Sequence, residues 1–403
     1  ENLDLVTTLE NQVSGGVNAT QTTASKQPRA HVPIGDGHLY LSGASGNYAE
    51  GPSVTIGANE TWQGELDMVI TSFGNYIRPM GGVTGGWQSG FGLIFYSSGS
   101  VRCFSGNPAT TGVPSGVVLG TQFNVKYGYD GSDLYVNIND ARIATFSATF
   151  SAINETLQLA QQNTLTTAGE FSIQKAKLTV GSSVVFDCDF SASNIGHDDT
   201  SFQAAVGGTV TINKGSTTRD AATIVRRPFL RFDGIHNFMS GLFNQTLTSG
   251  GYMFMAFSVN YGSKTYARVF AVNSTDPDEP DYNNPRGLAF SIRQTTTDDV
   301  GWYYDNAFRD GHDGTYDADR GVILHELKAI DGEQVSKVNN ADAKTKSLDL
   351  SGLSSEKFTI GGRYDGDGNA SIDLEALYLF DHTLTDAGAS KIRDYLNAKS
   401  SIY

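Results

Sequence analysis

Residues 364–380 read YDGDGNASIDLEALYLF. The first part looks like a calcium loop, with Asp365, Asp367 and Asn369 at alternate positions and glycines between them. An EF-hand loop starting at Asp365 needs Gly at its sixth position for the sharp turn and a bidentate Glu at its twelfth. Those positions hold Ala370 and Ala376. The second part alternates as a strand does, so YDGDGN reads as a hairpin turn entering a strand over Ser371–Leu379. Asp365 and Asp367 keep the chemistry of a looser calcium site built from hard oxygen ligands in a turn. Beyond that stretch, TDAGASKIRDYLNAK supplies a helix: Thr385 can cap it, and Ala389, Ile392 and Leu396 fall on one face.

Working outward, the rest of the chain is nearly all strand. HLYLSG, GELDMVITSF, GLIFYSS, FNVKYGY, SDLYVNIN and FSIQKAKLTV recur as short alternating runs between Gly, Ser and Asn turns. That pattern predicts β-sandwiches or barrels. The 403 residues suffice for about two domains, each large enough to bury a core without cross-links.

The halves echo each other in order. HLYLSGASGNY (38–48) matches FLRFDGIHNF (229–238), GELDMVITSF (64–73) matches GYMFMAFSVN (251–260), and GLIFYSS (92–98) matches GLAFSIR (287–293). YDGSDLYVNIN (129–139) matches IDGEQVSKVNN (330–340), and SIQKAKLTV (172–180) matches SIDLEALYL (371–379). Five matches in one order, separated by nearly constant distances, predict tandem copies of one β domain over 1–196 and 197–403.

Composition narrows the function classes. Lys and Arg number 28 against 43 acidic residues, a net charge of −15. Nucleic acids and anionic membranes need basic patches, so neither is an expected partner. No apolar run is long enough to span a bilayer, so no membrane insertion is expected. The opening ENLDL lacks an initiator Met and an apolar leader, and the expectation is a mature form or a fragment. Cys103 shares a strand face with Val101, and Cys188 shares one with Phe186 and Phe190. Two buried free thiols are expected, with a single disulfide as the alternative. No CxxC spacing calls for zinc.

Three passages carry a resemblance. FNVKYGYDGSDLYVNIN (123–139), FLRFDGIHNFM (229–239) and SIDLEALYLFDHTLTDAGASKIRDYL (371–396) resemble a strand–turn–strand hairpin, an early strand, and a closing strand with its helix. These are features of laminin-G-like members of the concanavalin A-like lectin/glucanase superfamily. The resemblance implies an all-β chain of two tandem antiparallel jelly-roll sandwiches with a short C-terminal helix.

Some relatives by fold are glycoside hydrolases. Glu65-Leu66-Asp67-Met68 resembles the start of the Glu-x-Asp-x-Glu signature of the laminarinase-like hydrolases. Retaining hydrolysis needs two carboxylates about 5 Å apart in separate roles. The second acid belongs at 69 or 70, which hold Val69 and Ile70, so Glu65 and Asp67 read as a solvated strand face. His325-Glu326 begins an HExxH that fails at Ala329, and no GxSxG elbow or phosphate-binding loop is present. His197-Asp198-Asp199 reads as a polar connection. The expectation is no enzyme and no cofactor, with calcium as the open alternative.

Binding is what remains. GWYYDNAFRDGHDGTYDADRG (301–321) offers Trp302, Tyr304, Arg309, Asp310 and Tyr316, beside the acidic loop NSTDPDEPDYNNPRG (273–287). YIRPMGGVTGGWQSG (76–90) offers Arg78 and Trp87 at the equivalent place. Aromatic faces with Asp, Asn and Arg suit sugars, while the plainer reading puts half the rings in the core and the loops against a neighbouring subunit. VVFDCDFSASNIGHDDTSFQAAVGGTVTINKGS followed by RRPFLRFDGIHNFM is similar to passages between laminin-G-like modules of phage virion proteins. That resemblance implies a non-enzymatic virion surface protein, a tail-fibre, receptor-binding or capsid-decorating component. Its partners would be other virion proteins or host-surface glycans, with a homo-oligomer open. The alternative is a secreted bacterial carbohydrate-binding protein, or a glycan-active enzyme whose site is unrecognised.

Overall fold

The computed structural model describes residues 8–9, 19–23, 27–42, 46–82, 90–106, 112–160, 168–197, 199–214, 222–234, 237–242, 251–259, 267–273, 288–293, 299–304, 307–309, 323–330, 333–339, 342–346, 357–362, 369–380 and 382–400. For the strands between 288 and 309 the description is of backbone pairing. The chain forms two compact units, Val32–Arg227 and Leu3–His31 with Pro228–Tyr403.

An N-terminal arm carries β1 (Thr8–Leu9), β2 (Ala19–Thr20) and β3 (Arg29–His31). The first unit follows with β4 (His38–Leu41), β5 (Asn47–Ile56), β6 (Trp62–Gly74), β7 (Tyr76–Ile77), β8 (Met80–Gly82), β9 (Phe91–Tyr96) and β10 (Ser100–Ser105). It continues through β11 (Val113–Pro114), β12 (Gln122–Tyr129), β13 (Asp133–Ile138), β14 (Ala141–Ser147), β15 (Ile153–Leu159), β16 (Ala168–Val180) and β17 (Ser183–Asp189). β18 (Ser201–Gln203), β19 (Thr209–Lys214) and β20 (Thr223–Val225) complete it.

The second unit holds β21 (Phe229–Asp233), β22 (Met239–Leu242), β23 (Gly251–Val259), β24 (Ala267–Asn273), β25 (Leu288–Arg293), β26 (Asp299–Tyr304) and β27 (Ala307–Arg309). β28 (Ile323–Ile330), β29 (Glu333–Val338), β30 (Lys344–Lys346), β31 (Lys357–Ile360), β32 (Ser371–Phe380) and the helix α1 (Asp386–Ser400) follow.

The second unit is a sandwich of an eight-stranded sheet, β1-β2-β22-β31-β24-β25-β26-β27, and a seven-stranded sheet, β3-β21-β32-β23-β28-β29-β30. Its core joins Phe232, Met253, Met255 and Phe257 of one sheet to Met239, Val269, Phe270 and Ile360 of the other. The other face of β23 carries Tyr252 and Phe254, on which α1 lays Ala389, Ile392 and Leu396. Burial on both faces explains why GYMFMAFSV reads as a continuous apolar run. Thr385 caps α1, its Oγ1 accepting the Gly388 N–H at 3.2 Å, as the sequence predicts.

The first unit repeats this order. β20-β4-β16-β6-β12-β13-β14 is the counterpart of the seven-stranded sheet. β18-β19-β5-β15-β8-β9-β10-β11 is the counterpart of the eight-stranded one. Among the described residues β7 and β17 have no counterpart, and they join the strands of the first unit into one hydrogen-bonded network. Its core is aromatic, with Trp62 set edge-on to Phe91 at 5.3 Å and to Tyr127 at 5.8 Å. Gly64 is required there, because a Cβ would sit 2.5 Å from the Tyr127 ring. Asn139 and Asn339 show the equivalence closely: each has φ of 48°, and each Oδ1 accepts a strand N–H, from Asn124 and Leu324.

Two sequence expectations change here. The units divide at Arg227/Pro228, not at 196, because β19 and β20 extend the edges of β5 and β4 in the first unit. The N-terminal segment leaves the first unit and extends β22 and β21 in the second. The match of Glu65 to Tyr252 also shifts by two. Both β16 and β32 skip a bulged residue, Gln174 or Glu375, which sets Asp67 level with Ala256 and Glu65 with Phe254. Cys103 and Cys188 are buried free thiols. Burial pushes both up, Cys188 to about 12.

Candidate functional site

Two outward faces of the first unit carry clustered polar and aromatic side chains. The first lies on β6, β12 and β13. Alternation turns Leu66 and Met68 into the core and leaves Gln63, Glu65 and Asp67 outside. Cross-strand register sets Asn124 beside Asp67 and Lys126 beside Glu65. Asn124 Nδ2 donates to Asp67 Oδ1 at 2.8 Å and to Glu65 Oε1 at 3.4 Å. Lys126 Nζ lies 3.8 Å from Glu65 and 2.8 Å from Asp140. The Tyr135 hydroxyl donates to Gln63 Oε1 at 2.7 Å, under the Arg142 guanidinium 4.3 Å from its ring centre. Val69, where a second acid would stand, is buried.

In the second unit the same face is apolar. Tyr252, Phe254 and Ala256 replace Gln63, Glu65 and Asp67, and α1 covers Tyr252 and Phe254. Glu326 stands where the first unit has Lys126, and it anchors the helix. Arg393 donates to it from Nε at 2.8 Å and Nη2 at 3.0 Å, and the Tyr252 hydroxyl also donates to it. Glu326 of the His325-Glu326 pair is therefore a strand-to-helix anchor.

The second face lies on β7, β9 and β10. Phe95 turns into the core, and Ile94 and Tyr96 turn away from it to pack with Phe104 and Tyr76. Arg78 follows β7, half-buried, with its guanidinium 5.2 Å from the Tyr76 ring centre. Burial lowers the Arg78 pKa, and the Tyr76 and Tyr96 hydroxyls partly oppose that shift. Ile94 and Phe104 are buried, so the rings this face presents are those of the half-buried Tyr76 and Tyr96. Such rings beside a planar, multi-donor cation suit a ligand that offers both C–H faces and hydroxyls or an anion.

Of the residues singled out from sequence, Arg78 is placed with its side chain in this second face. Trp302 and Tyr304 lie on β26 and Arg309 on β27, where Trp302 pairs in register with Arg309 and with Phe290. Trp87, Asp310, Tyr316, Asp365 and Asp367 lie outside the described residues. Tyr96, Ile94 and Phe104 were missed, although alternation along FGLIFYSS places Ile94 and Tyr96 opposite Phe95. His197 and Asp199 lie within the first unit. His197 Nδ1 accepts the Arg226 N–H at 3.2 Å, and Asp199 accepts from Gly196. Among the described residues no three His, Cys, Asp or Glu side chains gather as metal ligands would, and no helix is long and apolar enough to cross a membrane.

No family model matches the chain, and no curated protein matches it. Among solved structures, mouse laminin alpha1 chain domains LG4-5 are similar over 88% of this chain and 93% of theirs, at 11% identity and a TM-score of 0.32. The VIP36 exoplasmic/lumenal domain in its Ca2+/Man3GlcNAc-bound form is similar over 40% of this chain and 82% of its own, at 12% identity and a TM-score of 0.28. The carbohydrate-binding module CBM66 from Bacillus subtilis is similar over 37% of this chain and 85% of its own, at 13% identity and a TM-score of 0.23. The fold assignment rests on the paired seven- and eight-stranded sheets described above.

Proposed function

We propose that the chain is a non-enzymatic, extracellular binding protein that takes glycans on the Tyr76–Arg78–Tyr96 face, as a surface component of a bacteriophage virion. The observation that supports glycan binding is the Arg78 guanidinium held 5.2 Å from the Tyr76 ring centre on an outward sheet face. A sugar stacks its C–H face on such rings while a guanidinium donates to neighbouring hydroxyls. The non-enzymatic reading is supported at Glu65 and Asp67. Each already accepts a hydrogen bond from Asn124, and the next position along the strand face is the buried Val69. The virion reading is supported by the resemblance of the segment joining the two bodies to passages of phage proteins.

A glycan-array screen of the purified chain, run with and without calcium, tests this. The expected result is specific binding that Arg78→Ala and Tyr96→Ala each weaken at least tenfold, about 1.4 kcal/mol. Loss of binding on chelation would point instead to a calcium-built site around Asp365 and Asp367. Specific binding that neither substitution weakens would remove the site assignment, and binding to no glycan would remove the function.

A further inference from the structure

The chain runs arm, body, arm, body. β1–β3 precede the first body, and β18–β20 precede the second. The two arms are equivalent: β1-β2 extend β22 as β18-β19 extend β5, and β3 extends β21 as β20 extends β4. The inner arm follows the first body and docks on it. The second body is completed by residues from the opposite end of the chain.

That arm is built into its unit. Ala19 lies in the core, and Gln21 Nε2 donates to Phe238 O at 3.1 Å. Asn237 Nδ2 donates to Gln27 O at 2.9 Å, and the His31 ring stacks on Phe229 at 4.7 Å. Without it, β21 and β22 present open edges beside Phe229, Leu230 and Phe232, which are otherwise buried. An unpaired edge is a template for another strand.

We infer that the β21 and β22 edges of the second unit form an acceptor for the arm strands β1, β2 and β3 of a second copy, linking copies head to tail. The covalent order inside the chain supplies the argument. After the inner arm docks on the first body, the chain passes into the second body at Pro228. An N-terminal arm docked on the second body of another copy hands its own chain on in the same way, at Val32 into a first body. The link between copies therefore repeats the connection already present within one. The contacts do not depend on which chain supplies the arm, so only effective concentration separates the two forms. This inference is independent of the glycan reading.

Thr20 and Ser240 are register partners, so a cysteine at each reports docking. Full-length Thr20→Cys and Ser240→Cys chains with different tags are unfolded together, refolded under reductant and then oxidised. A tether gives an effective concentration on the order of 1 mM, so refolding at about 0.1 mM should cross-link on the order of a tenth of the chains into mixed-tag dimers. Tenfold dilution should lower that share about tenfold. The doubly substituted chain should cross-link within itself. Co-expression of the two variants provides the same readout without refolding. Cross-linking in the double variant with no mixed-tag dimer by either route would overturn the exchange. No cross-link in the double variant would overturn the docking itself.

Discussion

Arg231 and Asp373 give the sharpest test of the second unit's packing. They are register partners on β21 and β32, with side chains 1% and 0% exposed. Arg231 Nε donates to Asp373 Oδ1 at 2.8 Å and Nη2 to Oδ2 at 2.6 Å. A bidentate pair this deep is stable only while both partners remain, because either charge alone would be buried and uncompensated. Asp373→Asn should therefore cost about 3–5 kcal/mol. At roughly 2–4 °C per kcal/mol for a domain of this size, the transition of the second unit should fall by about 6–20 °C. The first unit has Tyr40 and Ser172 at the corresponding pair, so the architecture tolerates a neutral partnership there. The double substitution Arg231→Leu with Asp373→Leu should recover most of the loss, since an apolar pair replaces a buried ion pair at little net cost. Scanning calorimetry reads both outcomes. A fall of less than about 2 °C in Asp373→Asn, or a double variant no better than the single, would refute the reasoning.

Two further outcomes follow from buried groups. Burial lowers the His38 pKa to about 3, while its Nδ1 accepts the Ile34 N–H at 3.0 Å. The unfolded chain takes up that proton near pH 6.5 and the folded chain does not, so this contribution to stability is lost as pH falls from about 6.5 towards 3. The melting temperature of the first unit should drop over that window, and His38→Asn, which keeps an acceptor without the charge, should flatten the drop. An unchanged pH profile in the variant would remove His38 as its cause. Leu396 is fully buried between α1 and the seven-stranded sheet of the second unit, so Leu396→Ala should cost about 2–5 kcal/mol. Helical circular dichroism should then be lost at lower temperature, and an unchanged melt would mean that the helix does not depend on this contact.

How much of this was legible in the sequence varies with how local each signal is. The strand Ser371–Phe380 and the cap at Thr385 were readable, because alternation and capping are written within a few residues of each other. The placement of both cysteines was readable for the same reason. The arms were not. β2 has two residues and β3 three, too few to carry a period, and nothing in ATQTT or RAH names an edge some 200 residues away. Pairing over that distance is settled by which edges lie open, which is a property of the assembled sheets. The slip of two between Glu65 and Tyr252 has a similar origin. A shift of two positions preserves inward and outward parity along β6 and β23, so alternation could not detect it. For the candidate site, Arg78 was found by its loop composition, whereas Ile94, Tyr96 and Phe104 were passed over as ordinary strand residues.

The two units share one architecture, and their difference narrows where recognition can occur. In the second unit the outward side of the seven-stranded sheet is closed by α1, and Glu326 is held there by Arg393 and Tyr252. In the first unit the same side is open, but Glu65, Asp67, Asn124 and Lys126 already satisfy one another in register. A ligand binding there would have to break these contacts and restore their hydrogen bonds, which removes most of the gain. The Tyr76–Arg78–Tyr96 face differs in kind. It offers the rings of Tyr76 and Tyr96 beside a planar, multi-donor cation, which is the chemistry the proposed glycan would use. That difference in chemistry is why the eight-stranded sheet of the first unit is the better place to look for the proposed ligand.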